Sequence, residues 1–132
     1  WKMNKTPAET TALINEMKPL VAGADCKVVL CVPFVDIPAA VEAAKGSNIV
    51  IGAENVHFKA SGAYTGEISA AMVASTGASY VILGHSERRQ YYGETSEILK
   101  EKEVLALANN LTPIFCIHCI SFLRVIGLLM RL

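Results

Sequence analysis

The chain has 132 residues, 52% of them hydrophobic, and 12 Lys and Arg balance 12 Asp and Glu to a formal net charge of zero. That length is one domain's worth of chain or part of one. The charge balance excludes a nucleic-acid or anionic-membrane partner held by bulk charge. Cys26, Cys31, Cys116 and Cys119 lie in or beside apolar runs, which predicts reduced, buried thiols in place of a disulfide framework. Cys116 and Cys119 form a C-x-x-C, but no helix start or second ligand pair accompanies them, so neither a redox pair nor a metal site is expected.

Trp1-Lys2-Met3-Asn4 lacks the apolar core of a secretory signal. The missing initiator Met predicts that Trp1 is an internal residue of a longer chain, in the stub of a strand. Thr6-Pro7-Ala8-Glu9 places a capping Thr, a Pro at the first helical position and a Glu three residues after the cap. The helix that follows sets Leu13, Met17 and Leu20 on one face and ends at Gly23. Val28–Val32 reads as a buried strand closed by Pro33, and Asp36 is placed to cap an Ala-rich helix that Gly46 stops. Ile49–Ala53 is the next strand. Residues 54–66 form a polar loop with two glycines and His57, which falls in no catalytic motif and reads as a loop residue.

Ser69 can cap a helix ending at Gly77, before the strand Tyr80–Leu83. Thr95 or Ser96 opens a charged helix to Asn110, and 113–117 is the last strand. Regular alternation of strands and helices implies parallel βαβ units. Strands that are apolar throughout predict helices on one sheet face and a packed interior on the other. Residues 118–132 depart from this pattern: Phe122, Val125, Ile126, Leu129 and Met130 recur at helical spacing, with Arg124 and Arg131 on another face. A membrane span is not expected there, because it needs about 20 mostly apolar residues.

The segment Tyr80-Val81-Ile82-Leu83-Gly84-His85-Ser86-Glu87-Arg88-Arg89 carries the strongest chemical signal. A buried strand empties into a Gly turn bearing His, Ser, Glu and two Arg. Strand ends of parallel α/β proteins are where polar residues gather for chemistry. A His and a Glu two apart can supply a hydrogen-bond donor and a proton-transfer group.

Gly84-His85-Ser86-Glu87-Arg88-Arg89 resembles the signature of the triose-phosphate isomerase family. So do Trp1-Lys2-Met3-Asn4, Gly62-Ala63-Tyr64-Thr65-Gly66-Glu67 and Thr112-Pro113-Ile114-Phe115-Cys116-Ile117, in the family's order. The resemblance implies an α/β fold of the parallel (β/α)8 TIM barrel family. Such a barrel typically takes about 250 residues, so residues 1–117 would hold its first half. It also implies interconversion of dihydroxyacetone phosphate and D-glyceraldehyde 3-phosphate in the cytoplasm, in glycolysis and gluconeogenesis. No cofactor, metal, nucleic acid or membrane is implied.

Carried over by position, Lys2 matches the substrate-binding lysine, whose ammonium would neutralise the substrate and the developing enediolate. His85 matches the electrophile, kept neutral by helix-start amides. Glu87 matches a buried acidic residue that positions the lysine and takes part in proton transfer. Ser86 matches a residue supporting the turn and the hydrogen bonding at the substrate. Arg88 and Arg89 are expected in structural ion pairs. Thr65 matches the tip of a loop that enters the neighbouring subunit, which implies a homodimer.

The family's substrate-binding Asn would precede Trp1. Its catalytic Glu, lid loop and glycine-rich phosphate loops belong to the second half. Glu94, Glu97, Glu101 and Glu103 sit in or beside a helix, away from a strand end. His118-Cys119 replaces the family's Gly-Glu after Ile117, so 118–132 reads as an unrelated apolar tail from a frameshift or truncation. The expectation is a fragment that is inactive alone, poorly soluble, and open along one strand edge. The alternative is a non-catalytic half-barrel assembly module.

Overall fold

The computed structural model describes residues 1–117. The tail expected at 118–132, and the second cysteine of the C-x-x-C, lie outside the described residues. Helix α1 (Pro7–Val21) begins at Thr6, whose amide and hydroxyl both donate to the Glu9 carboxylate, at 2.8 and 2.9 Å. This capping box pairs groups that the first turn leaves without helical partners. The buried stripe of α1 is Thr10, Ile14, Met17 and Val21, whereas Leu20 is 82% exposed. The expected face of Leu13, Met17 and Leu20 is therefore rotated. A stripe at i, i+4, i+7 and i+11 is the one that lies along the sheet and the next helix.

Strand β1 (Val28–Val32) leads through a 3₁₀ turn, Phe34–Asp36, into helix α2 (Ile37–Ala44). Asp36 stands at the N-cap but does not cap with its side chain. Its carboxylate is fully buried and accepts from the Thr10 hydroxyl at 3.0 Å, which in turn accepts from the Trp1 indole N–H at 2.9 Å. The tertiary bond displaces the local one. Strand β2 (Ile49–Ala53), helix α3 (Ala70–Ser75), strand β3 (Tyr80–Leu83), helices α4 (Ser86–Tyr91) and α5 (Ser96–Ala108), and strand β4 (Thr112–Phe115) complete the described chain. Ser69 and Thr95 cap α3 and α5 by accepting from Met72 and Ile98 amides.

The four strands form one parallel sheet in the order β1-β2-β3-β4. Leu30, Val32, Ile49, Ile51, Val81 and Leu83 are buried under the helices. On the other face Cys31 and Ile82 are half-buried, and Ile114 at the β4 edge is 38% exposed. Residues 1–5 join no ladder. Lys2 and Lys5 have φ of 54° and 71°, which takes this stretch out of the extended geometry that the expected strand stub requires. Side chains, not ladder bonds, hold it to α1. The thiols divide: Cys26 is exposed, against expectation, because it lies in the α1–β1 connection, while Cys31 and Cys116 are partly buried. Burial pushes the Cys31 thiol up to about 11, so it is unreactive at neutral pH.

Gly52 sets how closely the strands pack. A Cβ there would lie 2.8 Å from Cys31 Sγ and 2.9 Å from Tyr80 Cβ, on the two strands that flank it. Gly52→Ala should therefore destabilise the chain by about 1–3 kcal/mol through overpacking. Gly23→Ala, where nothing lies within 4 Å, should be nearly neutral. Urea unfolding of the two variants checks this, and equal midpoints would contradict the crowding argument.

Candidate active site

The parallel register places the C-terminal ends of β1, β2 and β3 along one edge. Beyond that edge lies a cleft of about 680 Å³, whose lining includes Lys2, Cys31, Glu54, Ile82, His85 and Glu87. At the end of β3, Gly84 takes φ of 73°, a conformation that favours glycine. A Cβ there would meet the Arg89 guanidinium at 2.7 Å. Arg89 uses that approach to donate to the Gly84 carbonyl at 2.8 Å and to the Cys116 carbonyl at 3.2 Å. It clamps the turn to the end of β4 with backbone partners, which corrects the ion pair expected of it.

His85 is the N-cap of α4, and its Nδ1 accepts the Glu87 amide N–H at 3.2 Å. A nitrogen that accepts carries no proton, so the neutral ring holds its proton on Nε2 as a donor. Glu87, on the first turn, accepts from Lys2 Nζ at 2.5 Å across 85 positions of sequence. The hydrogen bond to Glu87, together with its charge, holds the Lys2 ammonium above its ordinary value. The same bond holds the Glu87 carboxyl below the usual carboxylate range. Glu87 is half-open to solvent rather than buried as expected, its side chain 42% exposed, because the cleft is open on that side. Lys2 also stands in a strained backbone conformation. Non-Gly residues held in such regions cost on the order of 1–3 kcal/mol and cluster at functional sites.

The sequence-derived residues thus separate. Lys2, His85 and Glu87 share the cleft, whereas Ser86 is exposed and does not line it. Thr65 sits at an exposed loop tip. Arg88 makes its ion pair, donating Nε to Glu94 at 2.6 Å, and stacks on Tyr92 with its guanidinium 4.7 Å from the ring centre. The same Glu94 oxygen accepts from the buried Lys102, which also donates to Asn55 at 2.7 Å. Burial alone would raise the Glu94 carboxyl, but Lys102 and Arg88 outweigh it and hold it below the usual range. Sequence reading missed Glu54, which lines the same cleft and whose carboxyl burial pushes above its ordinary value. Its position just after β2 is the signal that would have found it.

The family model for triosephosphate isomerase matches residues 1–121. A curated triosephosphate isomerase of Bacteroides fragilis is 60% identical over 119 residues, covering 89% of this chain and 47% of the relative. One from Clostridium botulinum is 55% identical over 116 residues, covering 88% of this chain and 47% of the relative. The crystal structure of triosephosphate isomerase from Bartonella henselae superposes with a TM-score of 0.85 at 35% identity, covering 96% of this chain and 53% of that one. The chain spans about half the length of the curated relatives it matches.

The Lys2–Glu87 pair has a defined pH window. Glu87's lowered value means that its contribution is present above the ordinary carboxylate midpoint, about pH 4.3, and is lost as pH falls through the lowered one. Lys2's raised value means that its contribution is complete below about pH 10.4 and is lost as pH rises through the raised one. NMR titration should place the Glu87 carboxyl below, and the Lys2 ammonium above, those ordinary midpoints. Glu87→Gln should return Lys2 to its ordinary midpoint; an unmoved Lys2 would mean that the pair does not form in solution.

Proposed function

The chain belongs to the triosephosphate isomerase family, and from that premise we propose that it supplies the polarising half of an isomerase site. The reaction interconverts dihydroxyacetone phosphate and D-glyceraldehyde 3-phosphate through an enediolate, in the cytoplasm, within glycolysis and gluconeogenesis. This enzyme is itself the familiar illustration of a carboxylate base, a neutral histidine electrophile and a closing loop. The observation that carries the reading is the convergence of Lys2, His85 and Glu87 on one cleft at a strand-end edge.

Each residue has a separable task. His85 Nε2–H donates to the substrate oxygens on which negative charge develops, with its tautomer held by the Glu87 amide. Lys2 brings a full positive charge to the phosphate and the enediolate. Glu87 fixes the ammonium through a charge-assisted hydrogen bond, and exchanges protons at the cleft. Ser86 supports the turn that presents His85. The tip at Thr65 enters a second subunit, which makes the assembly a homodimer. No metal or cofactor is required by these roles.

The family's catalytic Glu, lid and phosphate loops have no counterpart in the 132 residues. Loss of a general base commonly costs about 10²–10⁴-fold. Phosphate contacts supply remote binding energy on which the chemical step draws. The isolated chain should therefore be close to inactive. One observation favours a second reading, an assembly module: Ile114, Phe115 and Ile117 are exposed at and just beyond β4, 38, 42 and 79% respectively, an apolar edge suited to pairing.

Isomerase turnover by the purified chain, alone and mixed with the second half of the Bacteroides fragilis relative, discriminates the two. Background rate alone and recovery on mixing are expected. In the mixture, Lys2→Ala and His85→Gln should each lower the recovered rate by about 10²–10³-fold. Recovery that survives both substitutions, or no recovery at all, would leave the assembly reading in place.

A further inference from the structure

His57 does more than occupy a loop. It is 9% exposed although residues 60–67 beyond it are all exposed. Its amide donates to the Ile68 carbonyl at 2.8 Å, and its Nδ1 lies 2.9 Å from Glu67 Oε2. Both contacts close the same ten-residue excursion at its base. The imidazole packs against Phe58 and Tyr64, with centroids 4.4 and 4.6 Å away. Above it the tip folds on itself: the Tyr64 amide donates to Gly62 and the Glu67 amide to Tyr64, both at 3.0 Å. An ionised carboxylate can only accept, so Nδ1 carries the proton. Nε2 is buried with no hydrogen-bond partner among the described residues, and an N–H there would be left unpaired. With the proton on Nδ1, the imidazole takes the opposite tautomer to His85.

We propose that His57 and Glu67 form a latch that holds the 57–68 loop in one shape, so that a second copy of this chain meets a pre-formed Tyr64-Thr65 tip. The inference rests on the homodimer reading given above and adds residues that position the tip. Binding by a loop ordered beforehand avoids the ordering cost that a slack loop would meet on association. A second side-chain tether of the loop is Lys59–Glu101 at 2.8 Å, whose side chains are 43 and 50% exposed. A pair so exposed contributes at most about 1 kcal/mol. The latch is the side-chain tether with the more buried partner, and it adds to the backbone bonds that close the loop.

Three measurements on the 132-residue chain test it. Imidazole ¹⁵N NMR should find Nδ1 protonated and Nε2 bare on His57, and the reverse on His85. Amide exchange at Tyr64 and Glu67 should quicken about tenfold in His57→Phe and in Glu67→Ala, the factor expected for one lost hydrogen bond. The double variant should be no worse than either single one, as for partners in one interaction. Glu67→Gln, which keeps an acceptor oxygen, should stay near the parent rate. Glu67 is exposed, so its variants test the loop without threatening the core. Unchanged exchange, additive effects or an Nε2–H tautomer would overturn the latch. Sedimentation separates the two ideas: self-association weakening in step with exchange supports the whole proposal. Faster exchange with self-association unchanged would overturn the latch's role and leave His57–Glu67 as a local restraint, whereas no self-association in the parent chain would overturn the homodimer reading and the proposal with it.

Discussion

The turn at Gly84 is the constraint on which the cleft depends. It ends β3, reverses the chain at a φ of 73° and leaves room for Arg89 to reach back over it to two carbonyl oxygens. That reversal makes His85 the cap of α4 and places Glu87 two residues further, in the first turn, facing Lys2. A side chain at position 84 would oppose both the φ and the guanidinium at once. The chemistry of the site is therefore set by backbone geometry first, and the charged groups settle into positions that the turn has already chosen.

Charge near the cleft is then arranged around two carboxylates, Glu87 and Glu94. Arg88 and Lys102 share Glu94, which fixes one cation of α4 at the edge of the cleft that Glu87, its immediate neighbour, also lines. The buried Glu94–Lys102 pair is not by itself a source of stability, since desolvation offsets most of its attraction. Its consequence is positional: it ties α4, α5 and the start of the 54–67 loop through Arg88, Lys102 and Asn55. Removing Glu94 would leave the buried Lys102 ammonium without a carboxylate partner, so this one side chain holds the junction of the three elements.

What sequence could and could not disclose follows the same division between local and tertiary forces. Thr6, Ser69 and Thr95 were legible as caps because a cap bonds within three residues of itself. The parallel α/β order and the His85–Glu87 strand end were legible for a similar reason, their signals being contiguous. Asp36 looked like a cap and is instead claimed by Thr10, 26 residues away; Leu20 looked like core and faces water. Arg89 has no carboxylate partner among the described residues and donates instead to two carbonyls. Glu54 carried no motif, and the weight on His57 came from Glu67 and two aromatic rings that only the folded loop gathers. The open face of Glu87 had the same origin, since exposure depends on what stands across the cleft.

A parallel sheet with its helices on one face is completed strand by strand, and each strand delivers its own polar residues at its own C-terminal end. Here β1 to β3 already present the histidine and its carboxylate partner, with the lysine arriving from the segment ahead of α1. Their mutual distances are fixed by bonds among themselves and not by anything on the far side of the cleft. The cluster of Lys2, His85 and Glu87, proposed above to polarise the substrate, is thus a self-contained unit in which tautomer, ammonium and carboxylate constrain one another. A catalytic base supplied from further strands would have only to be placed opposite it. Pre-organisation of one half without the other is possible because the interactions that orient the donors are short-range and close within the first four strands.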